Sequence, residues 1–166
     1  MSDDNDVRDL VSSDKLTFTV LASIASMSTT LRDLMEDSAS GPIPLPDIAS
    51  KPLQRVVEYC MHHKDDTVPP PVLDTTKTRI PDKPTPVGEW DRQFCAQMDQ
   101  AELFDVILAA NYLDIRPLLD LGCRIIAESV IGKKPKEIYA MFKIEKELTP
   151  EEEQKVREDN PWLEDK

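Results

Sequence analysis

Apolar and polar positions alternate first at short range and later at helical range. Val7-Arg8-Asp9-Leu10-Val11 and Leu16-Thr17-Phe18-Thr19-Val20 are short runs rich in β-branched residues, joined by polar Ser12-Ser13-Asp14-Lys15. That pattern predicts a β-hairpin. Leu21 to Met27 and Thr30 to Met35 have helical apolar spacing, whereas Gly41-Pro42-Ile43-Pro44-Leu45-Pro46 is too rich in proline for anything but an edge strand. Ile48 to Met61 places Leu53, Val56, Val57 and Cys60 on one face of a helix. The stretch from Lys64 to Val87 has six prolines, scattered charges and little to bury, and predicts a surface excursion or flexible linker. Helical spacing then returns in Trp90 to Met98, Ala101 to Leu113, Pro117 to Ile131 and Lys136 to Phe142, the last opened by Pro135. A final helix is marked by Thr149 as N-cap, Pro150 at the first position and Glu152 as the capping-box partner. Strands and helices come first and helices alone afterwards, so the expected class is an α+β body with an all-helical C-terminal extension.

Two of these helices carry more apolar surface than one core asks for. On Pro117 to Ile131, Leu119, Cys123, Ile126 and Val130 form one stripe, and Leu118, Leu121 and Ile125 form a second, displaced by roughly 130° at helical geometry. One stripe docks a helix on its own domain; the other meets something else, within this chain or outside it. On the preceding helix Leu103, Val106, Ala110 and Leu113 make a buried face. Phe104, Leu108, Asn111 and Tyr112 group on another side, which is either also buried or a contact surface. Farther on, Met141-Phe142-Lys143-Ile144 and then Asn160-Pro161-Trp162-Leu163 flank an acidic helix. A tryptophan among Glu, Asp and Lys fits a binding hot spot better than a core.

Charge and composition narrow the function. With 32 acidic and 20 basic side chains the net charge is −12, which disfavours nucleic acid and anionic membrane as partners. The longest apolar run, Val106 to Ala110, is far below the ~20 residues of a membrane span. Asp3, Asp4 and Asp6 crowd the start, where a secretory leader would be basic and then apolar. Cys60, Cys95 and Cys123 are an odd number without a CxxC pair, which fits reduced cysteines in the cytoplasm or nucleus. Only four glycines occur, and none builds a phosphate cradle or a nucleophile elbow. His62 and His63 are expected to be solvated at a helix end, and neighbours in sequence cannot easily share a metal. A Cys60–His63 nucleophilic pair lacks a third, orienting group. Glu151-Glu152-Glu153 is read as dipole stabilisation in a first helical turn. No enzyme, cofactor or metal is expected.

At this point the chain resembles a known family. Val57-Glu58-Tyr59-Cys60-Met61-His62-His63-Lys64-Asp65-Asp66 is similar to a signature of the Skp family, the S-phase-kinase-associated adaptors. So are Ile107 to Ile115, Leu118-Leu119-Asp120, Gly132 to Ile138, Leu148 to Glu153 and Glu158-Asp159-Asn160-Pro161-Trp162. The resemblance implies a BTB/POZ fold, a small three-stranded sheet with a helical cluster, plus two C-terminal helices. The implied division is a cullin-binding body, 1–131, interrupted by the excursion at 64–87, and an F-box-binding extension, 132–166. It implies an adaptor subunit of a Skp–cullin–F-box ubiquitin ligase that bridges F-box receptors to the cullin scaffold. By position, Asn111, Tyr112 and Phe104 correspond to cullin-facing residues. Leu103, Leu119, Cys123, Ile126, Val130, Phe142, Ile144 and Trp162 correspond to F-box-facing ones.

Three departures stand out. Lys15 occupies a hairpin position where the family usually has glycine, the excursion is longer than in many members, and Ser129-Val130-Ile131 replaces a more basic run. Thr149-Pro150 is similar to a site of hydroxylation and glycosylation in some protist members, although Pro150 also suits a plain helix start. Two rival readings remain: a BTB adaptor resembling elongin C, which lacks the terminal helices, and a kinetochore-type subunit using the same F-box surface.

Overall fold

In the computed structural model the residues described are 6–37, 41–66, 86–144 and 149–159. Strands β1 (Val7–Val11) and β2 (Thr17–Leu21) form the expected antiparallel hairpin, with Leu10 opposite Phe18 and Arg8 opposite Val20. Leu10 and Val20 turn into the core, while on the outer face Thr19 Oγ1 donates to Asp9 at 2.6 Å. The turn is closed by Lys15 N–H to the Ser12 carbonyl at 2.9 Å, and Lys15 then adopts φ 65°. A side chain in this left-handed region is strained, which explains why glycine suits the position. Lys15→Gly is therefore expected to raise stability by roughly 0.5–1 kcal/mol, measured by chemical denaturation.

Strand β3 (Ile43–Pro44) adds in parallel to β1, giving the order β2-β1-β3. It is an edge strand, as its prolines require, since Pro44 has no N–H to give. Helices α1 (Ala22–Ala25) and α2 (Thr29–Asp37) make the crossover. Helix α3 (Ser50–His62) follows and buries Leu53, Val56, Tyr59 and Cys60. Its N-cap residue, Ala49, cannot cap it. The hairpin turn supplies the cap instead: Asp14 accepts from Ser50 N at 2.9 Å, and these hydroxyl and amide donors, Ser12 first and then Ser50, hold its carboxyl below the usual carboxylate value.

Residues 67–85, most of the expected excursion, lie outside the described residues. Its two feet are joined. His63 Nε2 pairs with Asp91 at 2.9 Å and its Nδ1 with Asp66, while His62 stacks on Trp90 at 3.8 Å between ring centres. This corrects the expectation for His63, whereas His62 is exposed as expected. His63 is largely enclosed because both ring nitrogens find carboxylates, one on its own helix end and one on α4 (Glu89–Ala96).

Helix α5 (Gln100–Tyr112) starts at Asp99, whose carboxylate accepts from Glu102 N at 2.8 Å. Helix α6 (Arg116–Val130) approaches it closely at Gly122. A Cβ there would sit 2.4 Å from Ile107 Cγ1, so glycine is what permits the packing. Gly122→Ala is expected to cost about 1–3 kcal/mol through overpacking, read as a lower thermal midpoint.

Two compact units divide within α6, residues 1–126 and 127–166, ahead of the boundary expected after residue 131. Beyond Ile126 no residue of α6 is buried. The second unit contains α7 (Pro135–Met141) and α8 (Pro150–Asp159). Gly132, at φ 76°, ends α6 in the manner glycine allows. Among the described residues no helix is long and apolar enough to cross a membrane.

Candidate functional site

The open question about α5 is settled by burial. Leu103, Val106, Ala110 and Leu113 are inside, and Phe104, Leu108, Asn111 and Tyr112 are outside. Leu108 is 66% exposed, Tyr112 42% and Phe104 38%, high for large apolar side chains. Asn111, Tyr112 and Phe104, to which the resemblance assigns a cullin contact, therefore share one outward face. That face borders a groove of about 430 Å³, walled on the other side by Asp47, Ala49 and Pro52 at the start of α3. Asp105 joins Asp47 in lining it, so the groove combines apolar floor with carboxylates. Leu108 belongs to this surface, where spacing already groups it, although the resemblance assigns it no partner. Its period with Phe104 and Tyr112 is the signal that identifies it.

The groove's walls are tied together by charge. Glu102 on α5 is buried, and its carboxylate accepts from Arg55 Nε and Lys51 Nζ of α3, both at 2.9 Å. The Arg55 hydrogen bond, followed by that of Lys51, holds the Glu102 carboxyl below its ordinary value. A depressed folded pKa contributes stability above the unfolded value, and that contribution is lost as pH falls through the folded one. Glu102→Gln should thus cost about 1–2 kcal/mol at neutral pH. The difference from wild type should shrink as pH falls below about 4.3, the ordinary glutamate value. Denaturation curves at several pH values check both statements.

On α6 the two stripes separate as their spacing requires. Leu118 and Leu121 are buried and Ile125 is half-buried. Leu119, Ile126 and Val130 are half-buried, and Cys123 is exposed. The stripe assigned by resemblance to an F-box is thus the one turned toward the surface. Leu103 differs from the others in that set. It is 8% exposed and packs in the core, because it lies one turn before Val106 on the inner face of α5. It has little surface to offer a partner.

In the second unit, α7 ends with Ile144 N donating to the Tyr139 carbonyl at 2.9 Å and Lys143 N to that of Ala140 at 3.3 Å. Lys143 takes φ 52°, completing a left-handed helix ending that fixes Phe142 and Ile144 on either side of it. Phe142 is half-buried and Ile144 exposed. The capping box of α8 forms as its spacing predicts: Thr149 N donates to the Glu152 carboxylate at 2.9 Å, and Glu152 N to Thr149 Oγ1 at 3.3 Å. Pro150 is exposed at the first helical position. Trp162 lies outside the described residues.

The residues considered for nucleophilic chemistry are arranged otherwise. Cys60 is buried, and burial pushes its thiol up to about 12; burial likewise raises Cys95 to about 11. Both behave as small hydrophobes, with a thiolate disfavoured. Cys123 is exposed, so its place on α6 gives it a surface that the other two lack. His63 has its two nitrogens committed to Asp66 and Asp91.

Comparison with known proteins bears on the family of the chain. Residues 7–65 match the Skp1 family tetramerisation domain, its POZ part, and residues 116–163 match the Skp1 family dimerisation domain. A Dictyostelium discoideum protein named SCF ubiquitin ligase complex protein SKP1a is 43% identical over 159 residues, 95% of each chain. The Talaromyces stipitatus protein named E3 ubiquitin ligase complex SCF subunit sconC is 42% identical over 95% of this chain and 96% of its own. Suppressor of kinetochore protein 1 of Schizosaccharomyces pombe is 43% identical over 95% and 97%. Sheet, helical cluster and terminal helices are all covered by these matches, and the chain belongs to the Skp1 family.

Proposed function

We propose that this chain is the adaptor subunit of a Skp–cullin–F-box ubiquitin ligase, a binding subunit and not an enzyme. One observation carries the reading: α5 turns Phe104, Leu108, Asn111 and Tyr112 outward, and α6 leaves Leu119, Cys123, Ile126 and Val130 half-buried or exposed, with apolar area still open to a partner. Exposed apolar surface of this kind marks protein contact. Its kinship with proteins named as SCF subunits along nearly the whole chain supports the same role. The α5 face is the cullin contact. There Tyr112 and Leu108 supply apolar area, and Asp47 and Asp105 favour basic side chains on the scaffold. The α6 stripe, with Phe142, Ile144 and Trp162, is the F-box contact. Reduced, buried Cys60 and Cys95 suit residence in the cytoplasm and nucleus, which is part of the proposal.

An adaptor of this kind holds both partners at once. Size-exclusion chromatography with mass measurement of the chain, a cullin N-terminal fragment and an F-box protein should give one ternary complex. Competition between the two partners, or retention of elongin-type receptors instead, would count against the reading. The fission yeast relative's name favours a kinetochore role as a second occupation of the F-box surface. Recovery of a centromeric F-box subunit without cullin would support it.

A further inference from the structure

A helix leaves its last four carbonyls without partners of its own, and on α5 each of them is satisfied. Ala110 O accepts from Ile115 N at 2.9 Å and Asn111 O from Asp114 N at 3.2 Å, with Asp114 at φ 50°. These are the paired bonds of a Schellman ending. The remaining two carbonyls are taken by hydroxyls from the start of α2. Ser28 Oγ donates to Leu113 O at 2.5 Å, and Thr30 Oγ1 donates to Tyr112 O at 3.0 Å.

The two hydroxyls do different work. Ser28 is 1% exposed and also accepts from Leu31 N at 3.0 Å, so it caps α2 and closes α5 together in the core. Thr30 sits at the surface of the joint, on the carbonyl of the very residue whose ring faces outward. Water can replace a hydrogen bond there, so its contribution to folding is small. Its geometric consequence is larger, because the peptide it holds carries Tyr112 and follows Asn111.

We propose that Thr30 is a positioning residue for the cullin contact: its hydroxyl fixes the last turn of α5 so that Asn111 and Tyr112 are presented ready to bind. The inference rests on the reading of the α5 face as the cullin surface. Without the hydroxyl the Tyr112 carbonyl turns to solvent and the terminal turn samples more conformations. The partner then has to reorder it on binding, and affinity falls.

The test is calorimetric titration of the full chain against a cullin N-terminal fragment and an F-box fragment. Thr30→Val should bind cullin about 3–10-fold more weakly, as expected for lost preorganisation. F-box affinity and the thermal midpoint should be unchanged. Thr30→Ser, which keeps the hydroxyl, should restore cullin affinity. In a Tyr112→Ala background Thr30→Val should have a smaller effect, because only Asn111 is then left to be positioned. Wild-type cullin affinity in Thr30→Val, equal loss of both partners, or a full additional effect beside Tyr112→Ala would overturn the proposal. If Tyr112→Ala itself left cullin affinity intact, the cullin reading of this face would fall first. If Tyr112→Ala weakened binding and Thr30→Val did not, only the role of Thr30 would fall.

Discussion

Tyr112→Lys is expected to weaken binding to a cullin N-terminal fragment by about 2–5 kcal/mol, the cost of driving an unpaired charge into a packed interface. The residue is well chosen for a clean result. Its side chain is outside the core, so the folded state gives up little when the ring is replaced. Its backbone is held from both sides, by the Schellman ending at Asp114 and by Thr30, so α5 keeps its terminal turn. The F-box titration should be unaffected. The α6 stripe shares no side chain with the α5 face, and changes without a shared partner are close to additive. Asn111→Lys should behave in the same way, since Asn111 lies beside it on the same exposed turn.

Ile126→Asp is expected to have the opposite selectivity and the larger effect. Losing one buried aliphatic side chain at an interface removes roughly 1.5–3 kcal/mol, and a carboxylate enclosed without a partner adds to that cost. Together these come to about 4 kcal/mol or more, roughly a thousandfold in affinity, which amounts to loss of F-box binding under ordinary conditions. Ile126 is half-buried at the edge of the core, so the variant has to be shown folded by circular dichroism before it is titrated. Cullin binding should persist, because Phe104, Leu108 and Tyr112 are untouched.

Much of the fold is legible in the sequence because its signals are local. The hairpin follows from β-branched runs around Ser12 to Lys15, and the edge position of β3 from Pro44. The capping box at Thr149 and Glu152 is visible from a spacing of three residues. What stays hidden is long-range and polar. Ser28 and Thr30 read as ordinary helix-start residues, yet their hydroxyls close a helix end more than eighty residues away. Asp14 looks like a turn residue and caps α3. Glu102 looks like a first-turn acid on a helix and is buried between Arg55 and Lys51. His63 looks solvated until α4 brings Asp91 to it.

The candidate site is legible for a different reason. Spacing alone divides α6 into two stripes, and burial of Leu118 and Leu121 agrees with that division. On α5 spacing leaves the outer face open, because apolar residues surround the helix and only tertiary packing selects the inner side. The roles of Phe104, Asn111 and Tyr112 come from resemblance, while their outward direction comes from the structure. Leu103 differs: position assigns it to a partner, and packing puts it in the core.

The central claim is that one small chain binds two proteins through separable faces. It is tested most directly by one set of calorimetric titrations: wild type, folded Tyr112→Lys and folded Ile126→Asp, each against the cullin fragment and the F-box fragment. The account predicts a crossed pattern, with Tyr112→Lys losing cullin alone and Ile126→Asp losing the F-box alone. A folded Tyr112→Lys variant that lost both partners equally would contradict it.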